Sequence, residues 1–187
     1  PEVVVRNNVS IMLIYGYTDA SGGGFGSSFL MHGNVKYRIG TWVDNESGET
    51  SNWRELENLV SSMEDAGGKG WLWGATMLLA TDNEVAERAL YKGTSTHKKL
   101  FEVVVRLGKL ELIYCCSLWV THVAGTRMII QGTDSISWGD RSQGVAIGDS
   151  MLHHCPWGKS ALKVVPDLLK VVTDWLGMSV IPLAPVD

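Results

Sequence analysis

IMLIYGYTDASGGGFG, residues 11–26, is a short apolar and aromatic run that closes on an acid and passes into a glycine-rich turn. The run Ile11–Thr18 has the near-continuous apolar character of a buried strand. Ser21–Gly26 then supplies residues that tolerate unusual backbone angles, so the chain reverses there. Phe25–Met31 and Val35–Val43 alternate apolar and polar positions around His32-Gly33-Asn34, where Gly33 and Asn34 favour a tight hairpin. Three strands in succession predict an antiparallel meander, with Asp19 left at the end of the first.

Beyond the meander the period changes. Ser51 or Asn52 caps a helix over Asn52–Ala66, in which Trp53, Leu56, Leu59, Val60 and Met63 recur at three- and four-residue intervals. Gly67-Gly68 ends it. Trp71–Thr81 reads as a buried strand, with Asp82 after it as a candidate helix cap. Asn83–Tyr91 is helical up to Gly93, Ser95–Leu107 is a second helix, Leu110–Val120 a further strand, and Arg127–Trp138 a weaker helix. The order βββ, α, β, αα, β, α predicts an α/β fold: a five-stranded mixed sheet, three antiparallel strands followed by β-α-β crossovers, flanked by helices. Residues 1–10 form a lead-in, 11–145 the domain, and 146–187 a C-terminal extension with a helix over Val164–Leu176 and a proline-punctuated tail.

The chain has 187 residues, enough for one domain with an appendage, and a formal net charge of −4. It begins at Pro1 rather than Met, which reads as a piece of a longer polypeptide or a processed product. No window is apolar enough to span a membrane, and no secretory signal stands at the start. Cys115 and Cys116 are adjacent in a strand pattern, so they point to opposite faces and do not pair. Three cysteines without a framework suit a reducing, intracellular compartment. The acidic balance means that any phosphate contact comes from a local basic patch.

Four acids sit at element ends: Asp19, Glu55 in the first turn of its helix, Asp82 after the fourth strand, and Asp134 in the last helix. Gathered at one end of a sheet, they would repel one another unless they hold cations, which points to hard-metal chemistry. For each alone the plainer role is a helix cap or a solvated charge. Asp140, six residues beyond Asp134, competes with it for the fourth place.

In this order the motifs resemble those of ribonuclease H domains from retroelement polyproteins. Thr18-Asp19-Ala20-Ser21 with its glycines is similar to the first motif, Ser51-Asn52-Trp53-Arg54-Glu55-Leu56 to the second, and Thr81-Asp82-Asn83 with its helix to the third. The stretch from Trp119 to Asp140, containing Gly132-Thr133-Asp134-Ser135, resembles the fourth. The resemblance covers residues 11–145. Its flavour is that of gypsy- and DIRS-type elements, whose following segment Gly148–Met151 and Trp175–Gly177 resemble.

The resemblance implies hydrolysis of the RNA strand of an RNA–DNA hybrid with two Mg²⁺ or Mn²⁺ ions. Asp19 would bridge the ions, Glu55 and Asp82 would complete one site, and Asp134 would serve the water-activating ion. It also implies a reverse transcriptase domain of the same polyprotein as partner. One departure stands out: the loop Ala124–Gln131 carries no histidine, where many cellular ribonucleases H have one, and His122 falls earlier, as a strand-end or core residue.

Candidate nucleic-acid contacts are the backbone of Ser21 and Gly22, the side chain of Asn83, Lys98 and Lys99 within a basic cluster that includes Lys92, His97 and Arg106, and Arg127. The bland role for the lysines is a solvated helix face. Trp53, Trp71, Trp73 and Trp119 fall on core-facing patterns, and core is also the expectation for Trp42, Trp138, Trp157 and Trp175. His153-His154-Cys155 lacks a fourth ligand for zinc. Two other functions fit the same acids: a catalytically weak or inactive binding module of this fold, and a related DNA nuclease.

Overall fold

The computed structural model describes residues 12–31, 34–43, 46 and 48–142. The lead-in, the turn at residues 32–33, the helix expected over Val164–Leu176, the His153-His154-Cys155 cluster, Trp157 and Trp175 lie outside the described residues.

Three strands open the fold: β1 (Met12–Ala20), β2 (Gly24–Met31) and β3 (Asn34–Thr41). Helix α1 (Ser51–Gly68) leads to β4 (Ala75–Thr81), then α2 (Glu84–Lys92), α3 (Lys98–Tyr114), β5 (Ser117–His122), α4 (Gly125–Gln131) and α5 (Thr133–Ser137). The five strands form one sheet in the order β3-β2-β1-β4-β5. The meander pairs are antiparallel, and β1–β4 and β4–β5 are parallel, as the strand order in the sequence predicted.

Both faces of the sheet are covered at its central strands β1 and β4, which is why these two read as apolar runs. Ile14, Phe29, Met77, Leu79 and Val120 meet Leu56, Leu59, Val60 and Met63 of α1 and Leu100, Val103, Val104 and Leu107 of α3. Fully burying one such leucine contributes roughly 2 kcal/mol. On the opposite face, Tyr17 and Ala80 pack with Val123, Met128 and Ile136. The approach of α5 to this face depends on missing side chains in β2. A Cβ on Gly26 would lie 2.8 Å from Ser137 N and 3.0 Å from Ile136 C, and one on Gly24 would lie 3.0 Å from Ser137 O.

Several boundaries differ from the expectation. Thr50, not Ser51 or Asn52, caps α1, its Oγ1 accepting from Trp53 N. Glu55 consequently falls in the second turn, and the helix runs on through Gly67 and Gly68. Asn83 rather than Asp82 caps α2, because its Oδ1 reaches Ala86 N at 2.9 Å. That leaves the Asp82 carboxylate free for other work. Helix α3 extends to Tyr114, through what reads as the start of a strand. It stops at Cys115, whose φ of 49° is left-handed. The last helix divides at Gly132, where φ is 93°.

Trp53 and Trp71 pack on the core, whereas Trp73 and Trp119 are more than half exposed and Trp138 is 69 % exposed. Trp42 packs instead on the rings of Phe25 and Trp53. At the β5 edge, two carboxylates take outward-facing strand amides. Leu118 N donates to Glu111 Oε1 at 2.9 Å, and His122 N donates to Glu87 Oε1 at 2.8 Å. Among the described residues no helix is long and apolar enough to cross a membrane.

Candidate metal centre

Parallel pairing of β1 with β4 brings their C-terminal ends together, and with them Asp19 and Asp82. Glu55 enters from α1. One carboxylate oxygen from each of the three lies within 4.8 Å of the others. Asp19 and Glu55 are buried, at 6 % and 5 % exposure, and Asp82 is half-buried.

Charge at this density is costly in the metal-free protein. Burial pushes the Asp19 carboxyl up to about 6; a hydrogen bond from Ser137 opposes the rise, and the charges of Asp82 and Asp134 add to it. Glu55 is raised well above its ordinary value, chiefly by burial and then by Asp19. Asp82 is raised too, by burial first and also by Asp134, while His122 acts in the other direction. Glu55 Oε1 accepts from Ala20 N at 2.9 Å, but its Oε2 is buried with no hydrogen-bond partner. Three acids this close together, one of them with a buried and unpartnered oxygen, could hold a cation. The donors are all carboxylate oxygens, the set that suits Mg²⁺ or Mn²⁺.

Asp134 stands in α5, half-buried, outside that trio yet near enough for its charge to act on both Asp19 and Asp82. Asp140, also outside the trio, accepts from Ser142 N through its Oδ1 at 2.8 Å. His122 ends β5 exposed, its Nε2 3.1 Å from the Asp82 carbonyl oxygen.

Two polar anchors, neither apparent in the sequence, fix the elements that carry the acids. On the α1 side, Asn58 donates to the carbonyls of Asp19 and Gly26. On the α5 side, Gln131 Nε2 donates to Ser28 Oγ at 3.0 Å, and Thr133 Oγ1 lies 2.8 Å from the same hydroxyl. Gln131 Oε1 in turn accepts from the Thr133 amide and hydroxyl. Ser137, 2 % exposed, completes the arrangement beside Asp19. A polar residue on an amphipathic helix ordinarily faces water, so the only signal for Asn58 was its three-residue spacing from Glu55.

The nucleic-acid candidates are scattered around this centre. Ser21 is buried: its Oγ donates to Ser137 O at 2.9 Å and accepts from the Gly23 and Gly24 amides, while its own amide donates to Gly24 O. Gly22 is exposed at the tip of the turn. Asn83 Nδ2 donates to Asn52 Oδ1 at 3.0 Å. Lys98 has 88 % of its side chain exposed, with Glu102 3.9 Å away, and Lys99 pairs with Glu49. Arg106 bridges Glu57 and Glu64 of α1, each at 2.6 Å. Arg127 is exposed on α4.

A five-stranded mixed sheet of this order, with an acid at the end of β1 and another after β4, is the ribonuclease H-like fold. Solved structures bear that out. The chain is similar to a ribonuclease H1 isolated from compost by a metagenomic approach, at 18 % identity and TM-score 0.51, over 68 % of this chain and 92 % of that one. It is also similar to the N-terminal ribonuclease H domain of a Mycobacterium tuberculosis protein, at 16 % identity and TM-score 0.51, over 67 % and 94 % of the two chains. A foamy viral protease-reverse transcriptase in complex with an RNA/DNA hybrid aligns at 12 % identity and TM-score 0.45, over 74 % of this chain and 22 % of that one, too loosely to carry weight. No family model and no curated protein matches the sequence.

Proposed function

We propose that the chain is a metal-dependent nuclease of the ribonuclease H type, which hydrolyses the RNA strand of an RNA–DNA hybrid during reverse transcription of a retroelement. The observation that carries the reading is the convergence of Asp19, Glu55 and Asp82 within 4.8 Å, with Glu55 Oε2 buried and unpartnered. In this reading those three residues and Asp134 hold two Mg²⁺ or Mn²⁺ ions. Bound there, the ions supply an activated water and offset charge on the scissile phosphate. The chain's own part is to hold carboxylates in a half-closed site whose geometry exists before the ions arrive, and to keep Asp19 and Glu55 out of bulk water.

The hybrid as substrate is supported by the order of the four sequence motifs and by the ribonuclease H domains that share the fold. The gypsy or DIRS character, and a reverse transcriptase domain as partner, rest on the motifs alone. Phosphate contacts would come from Gly22 at the turn and from Lys98 and Arg127, which are the more exposed of the candidates.

A second reading, a weak or inactive binding module, is favoured by one observation. Lys99 and Arg106 are engaged by Glu49, Glu57 and Glu64, which leaves less positive charge for a polyanion. A labelled hybrid incubated with the protein in Mg²⁺ or Mn²⁺, beside Asp82→Asn and an EDTA control, separates the two. RNA-strand cleavage by the wild type alone, abolished by EDTA, is expected. Cleavage unchanged by the substitution, or hybrid binding with no cleavage in either metal, would overturn the nuclease reading. Preferential cutting of duplex DNA would redirect it to another nuclease of this fold.

A further inference from the structure

Asn58 is fully buried on α1, one turn beyond Glu55. Its neighbours Leu56, Leu59, Val60 and Met63 pack into the core, where an amide is tolerated only if its hydrogen bonds are made. They are made. Nδ2 donates at 2.9 Å to the Asp19 carbonyl and at 2.9 Å to the Gly26 carbonyl, and these two residues are cross-strand partners in β1 and β2. Oδ1 accepts from Ser27 Oγ at 3.0 Å, from Ser62 Oγ at 3.3 Å and from Arg38 Nη1 at 3.4 Å.

The Asp19 carbonyl and the Ala20 amide belong to one peptide group. Asn58 holds its oxygen while Glu55 Oε1 accepts from its N–H at 2.9 Å. Both polar atoms of the peptide that follows the Asp19 side chain are therefore gripped by two residues of the same helix, three positions apart. The Asn58 grip on the carbonyl is independent of the Glu55 side chain, which would also have to serve a cation.

We propose that Asn58 is the positioning residue of the metal centre: it ties the backbone of Asp19 to the helix that carries Glu55 and so sets the separation of the two carboxylates. The inference rests on reading those acids as metal ligands. Loss of a residue that orients a ligand from behind costs about 10- to 100-fold in metal affinity, whereas a residue that only fills space changes stability.

The test is calorimetric titration of the full chain with Mn²⁺ at pH 7.5, for the wild type, Asn58→Ala, Asn58→Ser and Met63→Ala. Met63 is fully buried in the same helix as part of the apolar core, so its truncation should lower Tm through lost packing. The Asn58 variants should bind Mn²⁺ about 10- to 100-fold more weakly, with Met63→Ala unchanged. Should Asn58→Ala not fold, Asn58→Ser still offers one donor and reports alone. Asn58 variants within about twofold of wild type, or a Met63→Ala affinity that falls as far, would overturn the proposal. Hybrid cleavage by the wild type is measured in parallel. A wild type that binds Mn²⁺ but leaves the hybrid intact overturns the nuclease reading and leaves Asn58 to be judged on affinities, and one that binds no Mn²⁺ overturns both.

Discussion

Replacing Asp19 by asparagine should make the metal-free protein more stable, although it removes a ligand. Burial, with help from Asp82 and Asp134, raises the Asp19 carboxyl from 3.8 to about 6 in the folded protein. The fold thus prefers the neutral acid, while the unfolded chain ionises readily. For such a group the favourable contribution is fully present below about pH 4 and is lost as the pH rises through about 6. A rise of roughly two pKa units amounts to about 3 kcal/mol at pH 7.5 and about 1 kcal/mol at pH 4.5. Asparagine is uncharged throughout that range and nearly the same shape, so Asp19→Asn escapes the cost. In EDTA its Tm should exceed the wild type's by about 6–12 °C at pH 7.5 and by roughly a third of that at pH 4.5. Urea unfolding at the two pH values gives the free energies directly. Saturating Mn²⁺ at pH 7.5 should narrow or invert the ranking, because an ion that binds only the folded state stabilises the protein with the intact ligand set. A Tm that falls at pH 7.5 in EDTA, or a gain of the same size at both pH values, would mean that ionising the buried Asp19 is not what costs the fold its stability.

Two further substitutions probe the elements around the site. Gly26→Ala places a Cβ 2.8 Å from Ser137 N, so α5 must shift from the sheet; a loss of about 1–3 kcal/mol by urea unfolding is expected, with weaker Mn²⁺ binding as Asp134 moves. Asn83→Ala removes the cap of α2 and its bond to Asn52, and should cost about 1 kcal/mol in the same assay while leaving Mn²⁺ affinity unaltered.

The meander and the crossovers were legible because each strand carries its own period and its own turn residues, and the sheet forms in that order. Leu110-Glu-Leu-Ile-Tyr114 alternates like a strand, so the sequence pattern ends helix α3 too early. The structure keeps it helical since Leu110 continues the buried stripe of Val103 and Leu107, at the expense of leaving Leu112 81 % and Ile113 59 % exposed. Local periodicity could not weigh those two exposures against one more helical turn. Asp82 looked like a cap because an acid before a helix usually is one; the next residue, Asn83, makes the same bond, a difference of one position that sequence alone does not resolve. The acids of the candidate site were visible, since charged residues at strand ends stand out against apolar runs. Asn58, Gln131 and Ser137 were not, because their burial depends on contacts with residues distant in sequence.

The carboxylates of Glu87 and Glu111 along β5 bear on how the domain meets other chains. A bare edge strand is a template on which a further strand can grow. Here an incoming strand would find the amides of Leu118 and His122 already taken, and would have to pull two charged acceptors out of water to reach them. The sheet therefore refuses extension on the β4–β5 side by electrostatics rather than by an added helix. Growth of the sheet there would first have to displace both side chains from those amides, so the domain carries its own obstacle to copies of itself pairing edge to edge.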